Sequence, residues 1–195
     1  RMLHEADDAL AVGDWAGVPL NPLGEHWVAE RVPPINQIAR RVNDGRDKTE
    51  RTVIVSNVDT ALLVMGLDQD YNLRRLERQL AFAKLAQVAA VVVLTKADLC
   101  DDVAERERAV QMLLPQGVAA LSVNALDAAS CASLSPWLGR GQTLVAIGSS
   151  GAGKSTLTNT LCGYGASGAQ DTGPNRSGDS RGRHTASTTL TTLSA

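Results

Sequence analysis

Eight consecutive residues, Gly148-Ser149-Ser150-Gly151-Ala152-Gly153-Lys154-Ser155, have the spacing G-x-x-x-x-G-K-[ST]. Residue types in this order suit the binding of a nucleotide's phosphates. Glycines at 148, 151 and 153 permit φ > 0 and bring backbone N–H groups close to an anion. A helix starting at the end of the loop adds unpaired N–H groups and a partial positive charge. Lys154 then reaches the β- and γ-phosphates, and the Ser155 hydroxyl sits on Mg²⁺. Ser149, Ser150, Ala152 and Thr156 complete the cradle. The competing reading is an ordinary glycine-rich turn.

A second group reads a base. Thr95-Lys96-Ala97-Asp98 fits [NT]-K-x-D. A carboxylate at Asp98 can accept hydrogen bonds from the guanine N1–H and N2–H₂. Adenine has no donors at those positions and would leave it unpaired. The Lys96 stem would lie along the base plane. Further on, backbone N–H groups in Ser122-Val123-Asn124-Ala125-Leu126, at Asn124 and Ala125 above all, could meet the guanine O6. The alternative for Thr95–Asp98 is a strand-to-helix loop in which Asp98 caps the following helix.

Both groups need strands and helices to hold them. Thr143–Ile147 reads as a buried parallel strand feeding the phosphate loop, and Thr156–Cys162 as a helix ending at Gly163. Val53–Val55 and Ala61–Met65 are apolar runs. Asn72 is expected to cap a helix reaching about Val88, with Leu73, Leu76, Leu80 and Ala83 inward and Arg74, Arg75 and Arg78 outward. Ala89–Leu94 is β-branched and reads as a strand buried on both faces. Asp101 or Asp102 begins a charged helix that Pro115 ends, Val118–Ser122 is another strand, and Leu134–Leu138 a short helical piece. Strands alternating with helices imply an α/β fold, a mostly parallel sheet with helices on both faces. Ligands in such sheets bind at the carboxyl ends of the strands, where both groups lie.

Residues 1 to about 51 differ. Pro19, Pro22, Pro33 and Pro34 interrupt helices, and the apolar pieces Ala11-Val12 and Trp27-Val28 suggest strands of a small β unit. Arg40, Arg41, Arg46, Lys48 and Arg51 form a loose basic cluster, read as a solvated loop or as a nucleic-acid patch.

Composition narrows the function classes. With 44 % hydrophobic residues the chain is that of a globular protein. A net charge of −2 gives no global field toward nucleic acid, and 3 % aromatics offer few stacking platforms. No apolar run reaches the ~18–20 residues that span a bilayer, and no signal-peptide pattern is expected. Cys100, Cys131 and Cys162 are too dispersed for a disulfide framework or a zinc site and fit a reducing cytosol.

The order of the groups is unusual for a nucleotide-hydrolysing fold, because the base reader precedes the phosphate loop. Either Thr95–Asp98 is accidental or the fold is circularly permuted, which a parallel sheet tolerates. Gln170–Thr189 is polar and glycine-rich. By itself it reads as a linker; in a permuted GTPase it stands where the first switch would be.

Six stretches carry a resemblance: Val12-Gly13-Asp14-Trp15, Asn57-Val58-Asp59, Asp70 to Arg78, Val92 to Leu99, Gly148 to Thr156 and Asp179 to Thr185. Together they resemble the ribosome small-subunit-dependent GTPases, circularly permuted enzymes of late small-subunit assembly. The resemblance implies part of a β-rich OB-fold over residues 1–51 and a permuted P-loop GTPase domain over 52–195. It implies GTP and GDP as ligands, Mg²⁺ on Ser155 and on Thr185 or Ser187, and slow hydrolysis stimulated by the 30S subunit. The implied partner is ribosomal RNA, contacted by the OB part and local basic loops, with neither DNA nor a membrane. A monomeric cytoplasmic protein is expected. Catalysis falls to Lys154 and to His184, a switch histidine in place of the usual water-orienting glutamine; the alternative for His184 is a loop residue facing RNA or solvent. The family's D-x-P-G motif and zinc-binding domain are not found in this sequence, so zinc is expected for the family without ligands here. His184-Thr185-Ala186-Ser187 stands where the family has His-Thr-Thr-Thr, and Thr95 where asparagine is commoner. Two other readings stay open: a guanine-nucleotide-binding module that does not hydrolyse, and a P-loop ATPase or kinase.

Overall fold

The computed structural model describes residues 10–18, 28–43, 49–163 and 190–192. Trp27, Arg46, Lys48, His184, Thr185, Ser187 and the rest of the polar segment before Leu190 lie outside them. The chain divides into two compact units, Arg1–Val58 and Asp59–Ala195.

In the first unit the described strands are short or paired as a hairpin. β1 (Ala16–Gly17) pairs antiparallel with β2 (Glu30–Arg31). β3 (Gln37–Asn43) pairs antiparallel with β4 (Thr49–Ser56), with a bulge between Ile38 and Ala39. Neither Ala11-Val12 nor Val28 forms a named strand; Val12 makes only an isolated bridge to Val55. Arg40, Arg41 and Arg51 lie in strands rather than in a loop, with Arg41 opposite Arg51. The reason is local pairing: the antiparallel register of Gln37–Asn43 on Thr49–Ser56 satisfies both backbones at once. Two motifs of the resemblance meet here. Gly13 approaches Ser56 so closely that a Cβ would lie 2.1 Å from its carbonyl oxygen. The Asn57 amide donates to the Gly13 carbonyl at 2.9 Å and accepts from Ile35 N–H at 2.8 Å. Asp14 accepts from Ala11 N–H at 2.7 Å and pairs with Arg31 at 2.9 Å. These contacts fix the local geometry of the first unit.

The second unit is a sheet in the order β7-β6-β5-β8-β9. β5 (Thr60–Gly66), β6 (Ala89–Thr95), β7 (Ala119–Ser122) and β8 (Thr143–Ile147) run parallel, and β9 (Leu190–Thr192) pairs antiparallel with β8. All seven residues of β5 are buried, as its central position demands. Leu62, Val64, Val91, Val93, Leu144 and Ala146 pack on one face with Cys131 of α3 (Ala128–Cys131) and Leu157 of α4 (Lys154–Leu161). Alternation sends Leu63, Met65, Val92 and Leu94 to the other face, where α1 (Leu73–Leu85) packs on β5 and β6 and α2 (Val103–Leu113) on β7.

The Asn72 side chain caps α1 by accepting from Arg75 N–H at 3.0 Å. The helix ends at Leu85, short of Val88, because Gln87 turns to φ +56 and Val88 N–H returns to the Ala83 carbonyl at 3.0 Å. Asp102 precedes α2 without a side-chain cap. The short helical piece before β8 is a 3₁₀ turn over Ala132–Trp137. Among the described residues, no helix is long and apolar enough to cross a membrane.

Candidate nucleotide site

The second unit brings the phosphate loop and the base-reading loops to the same end of the sheet. β8 ends at Ile147, and the backbone runs through Gly148–Gly153 into the first turn of α4 at Lys154. Gly151 and Gly153 have φ +81 and +89, left-handed values that an L side chain adopts only at a cost. Gly148 is not left-handed, contrary to expectation. It is required by contact, since a Cβ there would stand 2.3 Å from the Val64 carbonyl oxygen of β5. The loop therefore uses glycine for two different reasons.

Lys154 is only 5 % exposed. Its ammonium donates to the carbonyls of Gly148 at 3.1 Å and Ser149 at 2.6 Å. Burial holds it below its usual value, and the Asp70 carboxylate offsets part of that effect. A buried cation bonded to loop carbonyls and to no carboxylate suits an incoming anion. Ser155 and Ser150 are exposed, Thr156 is half-buried and Ala152 is fully buried.

The base-reading loop follows β6. Thr95 is completely buried, and its hydroxyl donates to the Ala152 carbonyl of the phosphate loop at 2.6 Å. The threonine thus makes a side-chain bond across 57 residues of sequence. Gly153 lies against the same side chain, with its notional Cβ 3.2 Å from Thr95 Oγ1. Lys96 has φ +61, and its ammonium pairs with Asp68 at 2.6 Å. Asp98 lies in a 3₁₀ turn, Ala97–Leu99, and gives no cap to α2, whose preceding residue is Asp102.

The third loop follows β7, beside the second, since Leu94 pairs with Ser122. Asn124 N–H donates to Ser130 Oγ at 2.9 Å, and Leu126 N–H to Asn124 Oδ1 at 2.9 Å. The Asn124 N–H is thus committed within the chain. Thr160 of α4 donates to the Ala125 carbonyl at 2.6 Å, tying this loop to the helix behind the phosphate loop. Ser122 Oγ is buried without a hydrogen-bond partner. Sequence reasoning quoted Ser122 without assigning it a contact, and the only signal was its place at a strand end. It gave no sign of Asp68, offered Asp70 only as the first residue of a family stretch with no contact assigned, and placed Arg75 outward; Arg75 instead pairs with Asp70 at 2.6 Å. Among the described residues, no group of three or more metal-ligating side chains stands together.

A family model described as RsgA GTPase matches residues 34–194. Among curated proteins, the chain is 43 % identical over 183 residues to a small ribosomal subunit biogenesis GTPase RsgA 2 of Vibrio parahaemolyticus, covering 94 % of this chain and 48 % of that one. It is 41 % identical over 175 residues to a small ribosomal subunit biogenesis GTPase RsgA of Mesorhizobium japonicum, covering 90 % and 49 %. The chain thus spans about half the length of the curated relatives it matches. Among solved structures, YjeQ from Thermotoga maritima superposes with a TM-score of 0.62 at 21 % identity, over 80 % of this chain and 52 % of that one. YloQ, described as a circularly permuted GTPase, superposes at 0.53 and 24 %, over 80 % and 51 %. At these identities the two structures establish the fold.

Proposed function

The chain belongs to the RsgA GTPase family, and from that premise we propose that it binds guanine nucleotides, hydrolyses GTP slowly, and acts with the small ribosomal subunit as its stimulator in late maturation. The observation that carries the nucleotide part is the Thr95–Ala152 hydrogen bond. It joins the base-reading loop to the phosphate loop although the first precedes the second in sequence, as a single site in a permuted GTPase requires.

Asp98 selects guanine, with the Lys96 stem against the base and the Ala125 N–H for the O6. Lys154 and the N–H groups of Gly148–Ser155 hold the β- and γ-phosphates. The exposed Ser155 hydroxyl in the first turn of α4 fits one ligand position of Mg²⁺. Thr185 or Ser187 is assigned a second, and both lie outside the described residues. Mg²⁺ held by these hydroxyls would supply positive charge that offsets the negative charge of the phosphates. His184, also outside the described residues, is assigned to orient the attacking water or to stabilise transition-state charge. Residues 1–51 are assigned to part of an OB-fold that touches ribosomal RNA, and residues 52–195 to the GTPase domain. The partner is ribosomal RNA rather than DNA or a membrane, for a monomer in the cytoplasm.

The test is GTP turnover by this chain with and without purified small subunits. Stimulated turnover that disappears in Lys154→Ala supports the assignment. Tight GTP binding with no turnover under either condition would leave a binding module that does not hydrolyse.

A further inference from the structure

β5 lies between β6 and β8, so the turn at its carboxyl end, Leu67–Asn72, emerges between the base-reading loop and the phosphate loop. Neither motif includes it. We propose that this turn positions both halves of the site: Asp68 sets Lys96 for the base, and Asp70, through Ser149, sets the phosphate loop around Lys154. The inference rests on the guanine-nucleotide reading above and adds two positioning residues to it.

Several contacts converge on the turn. Asp68 Oδ2 accepts from the Lys96 ammonium at 2.6 Å. That hydrogen bond above all holds the Asp68 carboxyl below its usual range, against the upward push of burial. Asp70 Oδ1 accepts from the Ser149 hydroxyl and from Arg75 at 2.6 Å, while its Oδ2 accepts from Gly66 N–H at 3.0 Å. Arg75 also donates to the Asp70 carbonyl. The backbone is pinned from both sides. Leu67 N–H donates to the Thr95 carbonyl at 2.9 Å, and Arg106 of α2 donates to the Leu67 carbonyl at 2.8 Å. The Arg106 guanidinium sits 5.0 Å over the Tyr71 ring, and the Tyr71 hydroxyl donates to the Arg106 carbonyl at 3.2 Å. Gly66 makes the arrangement possible, because a Cβ there would lie 2.5 Å from Asp68 Oδ1.

The two carboxylates differ in burial. The Asp68 and Lys96 side chains are 34 % and 29 % exposed, a setting in which an ion pair shifts an affinity by about threefold. The Asp70 and Arg75 side chains are 13 % and 17 % exposed, and Asp70 holds charge-assisted bonds worth about tenfold or more.

The experiment measures displacement of a fluorescent GDP from the full chain by GDP and by inorganic tripolyphosphate, which has no base. Wild type is compared with Asp68→Asn, Asp70→Asn and Ser149→Ala. Asp68→Asn is expected to weaken GDP about threefold and leave tripolyphosphate unchanged. Asp70→Asn is expected to weaken both ligands about tenfold, with Ser149→Ala reproducing part of that loss and adding nothing to it in the double variant. Should Asp70→Asn fail to fold, Ser149→Ala carries the phosphate arm. Equal losses on both ligands in both aspartate variants, or no loss in either, would overturn the proposal. A wild-type protein that bound tripolyphosphate without preferring guanine to adenine nucleotides would defeat the guanine reading instead, leaving the phosphate arm to be judged by itself.

Discussion

The two halves of the candidate site hold their cations in opposite ways. Lys154, in the phosphate loop, is almost fully buried and bonded to two carbonyls of its own loop. Lys96, in the base-reading loop, is partly exposed and already paired with a carboxylate. An ammonium satisfied only by dipoles remains short of negative charge and is ready for a phosphate. An ammonium with its own aspartate is already neutralised, and what it offers a ligand is the alkyl stem. In the proposed function, the phosphate half is accordingly the one built for charge, and the base half the one built for shape and hydrogen-bond matching.

The sharpest way to break this contrast is to neutralise each lysine. Lys154→Met is expected to cost more than about a hundredfold in GDP affinity, and Lys96→Met about tenfold or less. Isothermal titration would show this, and equal losses would erase the distinction. The buried lysine also leaves a signature in pH. Its folded value is depressed, so the empty folded chain binds fewer protons than the unfolded chain between that value and 10.5. Stability of wild type relative to Lys154→Met should therefore rise with pH through that window. Saturating GDP should abolish the rise in wild type, because phosphate restores the proton. Thermal unfolding across roughly pH 8–11, which includes the lysine's usual value, would reveal it.

Two alanine substitutions sharpen the account of the phosphate half. Gly148→Ala drives a Cβ into backbone, at 2.3 Å from the Val64 carbonyl oxygen, and neither atom can swing away. It is expected to destabilise by about 3 kcal/mol or more in denaturant titration. Gly151→Ala meets nothing within 4 Å and has only its left-handed φ against it, so about 1–2 kcal/mol is expected. Of the same size is the effect at the seam between the halves. Thr95→Val keeps the shape, removes the hydroxyl and leaves the Ala152 carbonyl unpaired, for an expected loss of about 1–2 kcal/mol in stability. Nucleotide dissociation should quicken by a comparable factor.

Much of this was legible in the residues, for physical reasons. Thr143–Ile147 is a strand as expected, because a central parallel strand needs an unbroken apolar run. Asn72 caps α1 as expected, since a short side-chain oxygen reaches an unpaired N–H. Less was legible where pairing or approach between distant segments decides. Gly148 looked like a φ > 0 residue, and its actual requirement is the nearness of β5, which no local pattern encodes. Arg75 looked solvated from helical periodicity alone, which is blind to the carboxylate of Asp70 in the preceding turn. The early strands were misplaced because β1 and β2 cover two residues each, too short for alternation to register. Thr95 showed only as a departure from the commoner asparagine, and its hydroxyl makes a bond that only the folded neighbour reveals.

The central claim is that Asp98, upstream, and Lys154, downstream, serve one guanine nucleotide. It is tested most directly by displacing a fluorescent GDP with GTP, ATP and XTP in the presence of Mg²⁺, on wild type and Asp98→Asn. Wild type should prefer GTP over ATP, and Asp98→Asn should lose GTP by on the order of a hundredfold while gaining XTP, because the amide presents a donor to the xanthine carbonyl. Equal displacement by ATP, unchanged by the substitution, would contradict the account and leave only a phosphate-binding loop.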